Sequence, residues 1–198
     1  MSESASAKHV LVFCASSRSC DPIYHEVAAR LGRILARASM TIVYGGGAEG
    51  SMGALADAAL AAGCEVVGIQ PRFMRELEWS HGRLTALHVV EDMQERKRRM
   101  LACADAVVAL PGGSGTLEEL LEAITAKRLG MFLKPIILVN QLSFFDPCVR
   151  MLERCIEERF MDARHREMWQ IVDEPEQVLD AIEAAAAWSE SARHFAAI

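Results

Sequence analysis

The segment LPGGSGTLEEL, residues 110–120, combines residue types that bind and process a charged ligand. Three glycines (Gly112, Gly113 and Gly115) lie within four positions, and two glutamates follow closely. Glycine lets a backbone approach a phosphate closely, and the free N–H groups at a helix start favour an anion. A nearby carboxylate can perform acid–base work on what that anion carries. The segment is therefore a candidate for a phosphate site with a carboxylate beside it.

A second glycine-rich loop, YGGGAEGSMG (44–53), contains Gly46 and Gly47 and also follows an apolar run. Tight turns use glycine too, so a single loop of this kind leaves both explanations open. Two such loops on one sheet edge favour phosphate binding. Neither has the G-x-G-x-x-G spacing of a dinucleotide site or the Gly-Lys-Ser/Thr of a P-loop, so NAD binding and ATP hydrolysis have little support.

Glu119 has two explanations at this level. Thr116 is predicted to be the N-cap of the helix that follows, and Glu119 then has the spacing of a capping box. Alternatively, Glu119 faces the sugar of a bound nucleotide. The residues alone leave both open.

A charged stretch, EDMQERKRRM (91–100), is predicted to open the preceding helix, with Asp92 as its N-cap and Glu95 at capping-box spacing. A basic run is usually a solvated face of a helix. Helix starts on neighbouring strands are close in space, however, so Arg96 is the best placed to reach the ligand, and Lys97 lies near the same sheet edge.

Short apolar runs alternate with amphipathic segments along nearly the whole chain. Strands are predicted at 9–16, 40–44, 65–69, 86–90, 105–110, 134–140 and 170–172. Helices are predicted at 21–38, 54–63, 91–104, 116–130, 144–160, 161–169 and 174–188, and 71–83 is a long loop or a broken helix. This alternation predicts a single, doubly wound α/β domain of Rossmann type, with a mostly parallel sheet and helices on both faces. Ligands bind at the carboxyl edge of such a sheet.

The predicted domain spans residues 9–188, between a flexible N-terminal segment (1–8) and a frayed C-terminal tail (189–198). Of the 198 residues, 52% are hydrophobic, which suits one domain with a real core.

A net charge of −6 disfavours general nucleic-acid binding. The six cysteines have neither zinc nor disulfide spacing, and no signal peptide or membrane span is predicted, so we expect a cytoplasmic protein.

The motifs YGGGAEGSMG, DMQERK and PGGSGTLEE together resemble the LOG family of cytokinin riboside 5′-monophosphate phosphoribohydrolases, whose hallmark is P-G-G-x-G-T-x-x-E. The resemblance extends over roughly residues 9–183. It implies hydrolysis of the N-glycosidic bond of a purine nucleoside 5′-monophosphate to free base and ribose 5-phosphate. It also implies a homodimer that needs no metal or cofactor. The alternative is a non-catalytic nucleotide or cofactor carrier on the same fold.

The resemblance further implies roles for individual residues. The family's catalytic arginine and glutamate correspond to Arg96 and Glu119. The residues implied to bind substrate are Ser16, Ser17, Gly46, Gly47, Met93, Lys97, Gly112, Gly113, Ser114, Gly115 and Thr116.

The chain departs from the family pattern at a few positions. Ser114 replaces a frequent Tyr, Gln94 a frequent His, and Ala126 and Arg128 a frequent Trp and Gln. The Ser114 change leaves a backbone cradle intact, and the others bear on the base pocket or the dimer surface.

The family is also labelled lysine decarboxylase-like, a reaction that needs a Schiff-base lysine for pyridoxal phosphate. Lys127 and Lys134 are predicted at a helix end and a strand start, far from both glycine loops, so decarboxylation has little support.

Overall fold

A seven-stranded, fully parallel sheet organises the chain in the computed structural model, which describes residues 8–77 and 79–196. The strands are β1 (His9–Phe13), β2 (Thr41–Tyr44), β3 (Val66–Pro71), β4 (Ala86–Val90), β5 (Ala106–Ala109), β6 (Ile136–Val139) and β7 (Gln170–Val172). Their order in the sheet is β4-β3-β2-β1-β5-β6-β7.

Within the described residues, seven α-helices connect or follow these strands. They are α1 (Pro22–Arg37), α2 (Gly50–Ala61), α3 (Arg72–Glu76), α4 (Met93–Cys103), α5 (Ser114–Arg128), α6 (Asp146–Glu157) and α7 (Val178–Ala184). The predicted start of α1 is confirmed, because Asp21 accepts a hydrogen bond from the N–H of Ile23 at 3.0 Å and Pro22 occupies the first turn. Pro147 likewise stands in the first turn of α6, where the missing N–H leaves no helix hydrogen bond unmade.

Both faces of the sheet are covered, which confirms the doubly wound prediction. The strands are largely apolar, and neighbouring residues point to opposite faces. Val10 and Val12 of β1 pack with α1, α2 and α7. Leu11 and Phe13 pack with α4, α5 and α6. Most β-strand side chains are therefore removed from water, and the polar chemistry is left to the sheet edge.

The carboxyl ends of β1 and β5 meet at the topological switch point. The chain runs outward from β1 through β2 and β3 to β4, then crosses back to place β5 on the other side of β1. The loops after these two strands diverge and leave a crevice, which is where doubly wound sheets bind ligands.

The C-terminal segment differs from the predicted frayed tail. A 3-10 turn at Glu190–His194 buries Ala192, and the ring of Phe195 packs against those of His165 and Trp188. These side chains have no helix or strand periodicity, so the sequence pattern did not predict that they pack against the domain. Of the predicted flexible segment 1–8, all but Lys8 lies outside the described residues. Within the described ranges, no helix is long and apolar enough to cross a bilayer.

Candidate active site

A cleft of about 530 Å³ opens at the carboxyl edge of the sheet, at the switch point. It lies between the loops that follow β1, β2 and β5 and the first turns of α4 and α5. It brings together most of the residues that the sequence predicts for the site, namely Ser16, Ser17, Gly47, Met93, Arg96, Gly113, Ser114, Gly115, Thr116 and Glu119.

Arg96 and Glu119 form a buried ion pair in the wall of this cleft. The distance from Nη1 of Arg96 to Oε1 of Glu119 is 3.2 Å, and the two side chains are only 6% and 8% exposed. Charged side chains are rarely buried to this degree, and they are then held by partners. The pair is therefore a rigid, largely dehydrated charge system that faces the ligand space.

The backbone of the sheet positions Arg96. Its Nε donates to the carbonyl oxygen of Ile69 in β3, at 3.1 Å. A Cβ atom at Gly45 would collide with the same guanidinium group, so a side chain at that position would displace Arg96. The predicted cap of α4 is confirmed, because Asp92 accepts from the N–H of Glu95 at 2.7 Å. The carboxylate of Glu95 accepts a hydrogen bond from the N–H of Glu91. A capping box would need that bond to come from the N–H of Asp92, so only one of its two bonds is present.

Glu119 does not cap its helix. The N-cap of α5 is Gly113, which has an extended backbone, so the helix begins two residues before the predicted Thr116. Thr116 lies in the first turn, and Glu119 lies in the second turn, where its carboxylate meets Arg96. The prediction of Thr116 as N-cap was wrong because the extended Gly113 occupies that position first.

Burial raises the pKa of Glu119 above its ordinary value, and the positive charge of Arg96 opposes that rise. The neighbouring carboxylates Glu118 and Glu122 raise the pKa further, and Lys97 lowers it. A carboxyl group with a raised pKa is a stronger base once ionised, which suits acid–base catalysis near neutral pH.

The first turn of α5 presents backbone donors to the cleft. Gly113 offers no side-chain cap, and the first N–H of the helix that bonds a carbonyl is that of Leu117, to Gly113 at 3.1 Å. The N–H groups of Ser114, Gly115 and Thr116 precede it and have no intrahelical partner. Together with the helix dipole they form the anion cradle that the glycines predict.

Gly112 does not line the cleft, but it lets the chain pass close to the cradle residue Thr116. A Cβ atom there would stand 2.7 Å from Cβ of Thr116, so the chain can pass Thr116 closely only without a side chain.

The second glycine loop holds the opposite wall. Gly46 has a φ of 79°, which favours glycine, and it lies behind the lining. Gly47 lines the cleft, and its carbonyl oxygen accepts from the buried hydroxyl of Tyr44 at 2.9 Å. Gly50 has a φ of 59°, and a Cβ atom on it would collide with the backbone of Ser16 and Ser17. The loops after β1 and β2 are thereby packed together.

The structure places Lys97 outside the cleft lining. Its Nζ lies 2.5 Å from Glu118 and 3.0 Å from Glu122, both on α5. The hydrogen bond to Glu118 is the main reason that the pKa of Lys97 is raised. Lys97 therefore ties α4 to α5 behind the Arg96–Glu119 pair, and this arrangement differs from the predicted contact with substrate.

Several lining residues were not predicted from the sequence. Met52, Gln70, Met74 and Trp79 form a wall on the β2–β3 side, and Cys14 lies at the end of β1. Apolar residues in the 71–83 segment follow neither helix nor strand spacing, so its aromatic and sulfur-containing side chains were the one sequence feature that could indicate a binding surface. Burial raises the pKa of the Cys14 thiol, which keeps it neutral and unreactive.

Lys127 lies at the far end of α5, where its Nζ donates to the carbonyl oxygen of Lys134 at 2.8 Å. Within the described part of the chain, no lysine lines the cleft. The residues therefore do not fit a pyridoxal phosphate site.

The fold and the site define a nucleotide-binding type of α/β protein, with an anion cradle and a buried Arg–Glu pair at the switch point. The family model described as "Possible lysine decarboxylase" matches residues 52–182. A cytokinin riboside 5′-monophosphate phosphoribohydrolase from Rhodococcoides fascians is 41% identical over 155 residues, which cover 78% of each chain. One from Arabidopsis thaliana is 35% identical over 193 residues, covering 92% of this chain and 89% of the relative.

The chain therefore belongs to the LOG family, as its motifs predict. Among solved structures, the molybdenum cofactor binding protein from Rippkaea orientalis superposes with a TM-score of 0.70 and 20% identity, covering 91% of this chain and 98% of the other. At that identity the likeness shows the fold alone.

Proposed function

We propose that this protein hydrolyses the N-glycosidic bond of purine nucleoside 5′-monophosphates, of the cytokinin riboside 5′-monophosphate type, to free base and ribose 5-phosphate. The observation that carries the proposal is the buried Arg96–Glu119 pair directly beside the anion-binding first turn of α5. The relatives that share most of the chain are named for this reaction.

The cleft has a suitable place for each part of such a substrate. The 5′-phosphate binds the free N–H groups of Ser114, Gly115 and Thr116, where the helix dipole favours negative charge. The ribose then lies over Arg96 and Glu119. The base extends to the apolar wall that contains Met74 and Trp79.

Glu119 and Arg96 divide the chemistry between them. Cleavage of a glycosidic bond passes through an oxocarbenium-like sugar, whose positive charge the carboxylate of Glu119 stabilises. Glu119 also takes a proton from the attacking water as the new O–C1′ bond forms. The electron pair of the breaking C1′–N bond leaves with the base, which gains a proton from solvent. Arg96 holds Glu119 in place and keeps it ionised despite its burial.

The phosphate is remote from the broken bond, yet its binding energy fixes the sugar against the carboxylate. A nucleotide is therefore a much better substrate than the corresponding nucleoside.

The reaction is tested directly with AMP and N6-isopentenyl-AMP in water enriched in ¹⁸O. Chromatography should detect the free base, and mass spectrometry should find one ¹⁸O atom in ribose 5-phosphate. Intact nucleotides that nevertheless bind would favour a non-catalytic carrier. Release of base with a second phosphate on the sugar would instead indicate phosphorolysis.

We also propose that the protein is a cytoplasmic homodimer. The six free cysteines fit a reducing compartment. The apolar side chains of Met131 and Phe160 are 72% and 73% exposed. The guanidinium of Arg128 donates to the carbonyl oxygen of Phe160 at 3.3 Å and so connects the end of α5 to this region of the surface. An apolar surface of this kind suits a second copy of the chain. Light scattering coupled to size-exclusion chromatography tests the stoichiometry, and Met131→Glu combined with Phe160→Glu should yield monomers.

A further inference from the structure

Gln70 is a buried polar side chain in the wall of the cleft, and the reaction described above does not use it. It lies on β3, is 2% exposed, and stands beside Met74 and Trp79. Its Oε1 accepts a hydrogen bond from the hydroxyl of Ser80. Ser80 is itself held by a bridge to Gly47, so the carboxamide is fixed in orientation.

The amide nitrogen of Gln70 is available to a ligand. The bond from Ser80 is the sole hydrogen bond to the Gln70 side chain within residues 8–77 and 79–196. Buried amide groups normally satisfy their donors. The Gln70 carboxamide therefore has two N–H donors and one oxygen lone pair free to bind a ligand. These groups suit a substrate that presents a hydrogen-bond acceptor next to a donor.

The position of Gln70 places it at the base end of the substrate. β3 is separated from β5 by β2 and β1, a distance of about 14 Å at the usual strand spacing. The phosphate cradle follows β5, and the Arg96–Glu119 pair lies between, with Arg96 bonded to Ile69, the neighbour of Gln70. A nucleotide that extends from the cradle across the pair brings its base to Gln70.

We propose that Gln70 determines specificity by reading the 6-amino edge of an adenine-type base. The Nε2–H group donates to a ring nitrogen, and Oε1 accepts from N6–H, the two-bond pattern in which Gln recognises adenine. A base with one N6 substituent keeps one N6–H and satisfies the same pattern. A 6-oxopurine has an acceptor in place of that donor, so it leaves Oε1 unpaired. This inference rests on the proposed function.

The test compares kcat/KM for AMP and IMP in the wild type and in Gln70→Leu, with Gln170→Leu on the distant strand β7 as the matched control. The wild type and the control should prefer AMP by at least about 10-fold, since a two-bond contact discriminates by that factor or more. Gln70→Leu should bring the ratio close to one, chiefly through loss with AMP. N6,N6-dimethyl-AMP, which lacks N6–H, should behave like IMP with the wild type.

An equal loss on AMP and IMP in Gln70→Leu, or an unchanged ratio, would overturn the inference, because a structural role affects both substrates alike. Ser80→Ala should lower the ratio part of the way by releasing the carboxamide. If Gln70→Leu does not fold, Gln70→Met, which has a side chain of similar length, replaces it.

Failure of the proposed function is distinguishable. It would appear as no base release by the wild type from any nucleotide. Equilibrium binding of AMP and IMP then tests Gln70 alone: a preference for AMP that Gln70→Leu loses supports the inference, and a preference that survives contradicts it.

Discussion

Nη1 of Arg96 lies 3.2 Å from Oε1 of Glu119, although the two residues belong to helices that follow strands in opposite halves of the sheet. Arg96 is in the first turns of α4, which follows the edge strand β4, and Glu119 is in α5, which follows β5 beside β1. The crossover at the switch point brings them together, so the reactive pair exists only when both halves of the sheet are assembled. The same crossover sets the phosphate cradle one helical turn away.

Gly45→Ala tests how closely Arg96 must be placed. The added Cβ would collide with the guanidinium group and stand 3.2 Å from the terminal methyl carbon of Met52. A displacement of about 1 Å at a catalytic group costs about 100-fold, so we expect a drop of that order in kcat. The loss of stability should stay within about 1–3 kcal/mol.

Gly82→Ala is the matched control, because a Cβ atom there meets no neighbour within 4 Å. It should keep full activity. A Gly45→Ala variant as active as this control would show that the position of Arg96 is not critical.

Thr116→Val tests the phosphate cradle. Thr116 is 4% exposed, and valine reproduces its shape without the hydroxyl. We expect the hydroxyl to donate to the substrate phosphate in addition to the backbone N–H groups, which the substitution keeps. A hydrogen bond to a charged group is worth about 1.5–3 kcal/mol, so kcat/KM for AMP should fall about 10-fold or more. Adenosine, which lacks the phosphate, should be a poor substrate for both proteins and should be unaffected by the change. Equal losses of kcat/KM with AMP and adenosine would show that Thr116 does not act through the phosphate.

The pH dependence of kcat follows from the environment of Glu119. Burial raises its pKa above 4.5, and the reaction requires the ionised carboxylate. The rate should therefore fall as pH drops through this raised pKa, and the acid limb should lie above the range of an ordinary glutamate. Glu118→Gln removes a charge that raises the pKa, so it should move the limb to lower pH. A limb that moves upward in that variant would contradict the assignment.

Lys127 provides a test of stability that is separate from the site. Burial lowers its pKa from 10.5 to about 8. Between these values the unfolded chain binds one more proton than the folded one, so the free energy of unfolding should rise as pH increases from about 8 to about 10.5.

Lys127→Met should abolish that rise in chemical denaturation measured at several pH values, and base release should continue, because the side chain lies far from the cleft. Loss of activity with retained folding would reopen a role for this lysine in catalysis.

The fold could be predicted because its rules are local. Apolar strands such as TIVY and IILV, separated by amphipathic helices, leave few arrangements other than a parallel sheet covered on both faces. Once the order of strands is known, the loops that carry Ser16, Gly47 and Gly113 must meet at one edge. The convergence of the motif residues was predictable for the same reason.

Other features depend on contacts between segments distant in the sequence. Lys97 sits in the right motif, but its partners Glu118 and Glu122 come from another helix and hold it away from the cleft. Trp79 belongs to a stretch with no periodic pattern, which backbone hydrogen bonds and the bridge from Ser80 to Gly47 hold over the site. Gln70 directly follows the predicted strand 65–69, and nothing in the local spacing marks it as a lining residue. Spacing within one segment does not encode such pairings.

The most direct test of the account is base release by the wild type and by Glu119→Gln, with AMP and N6-isopentenyl-AMP, alongside the affinity of both proteins for the same nucleotides. The substitution keeps the size of the side chain and removes its charge. We predict that the wild type releases base and that Glu119→Gln binds nucleotide but reacts at least about 100-fold more slowly. A variant that releases base at the wild-type rate would contradict the central role of the Arg96–Glu119 pair.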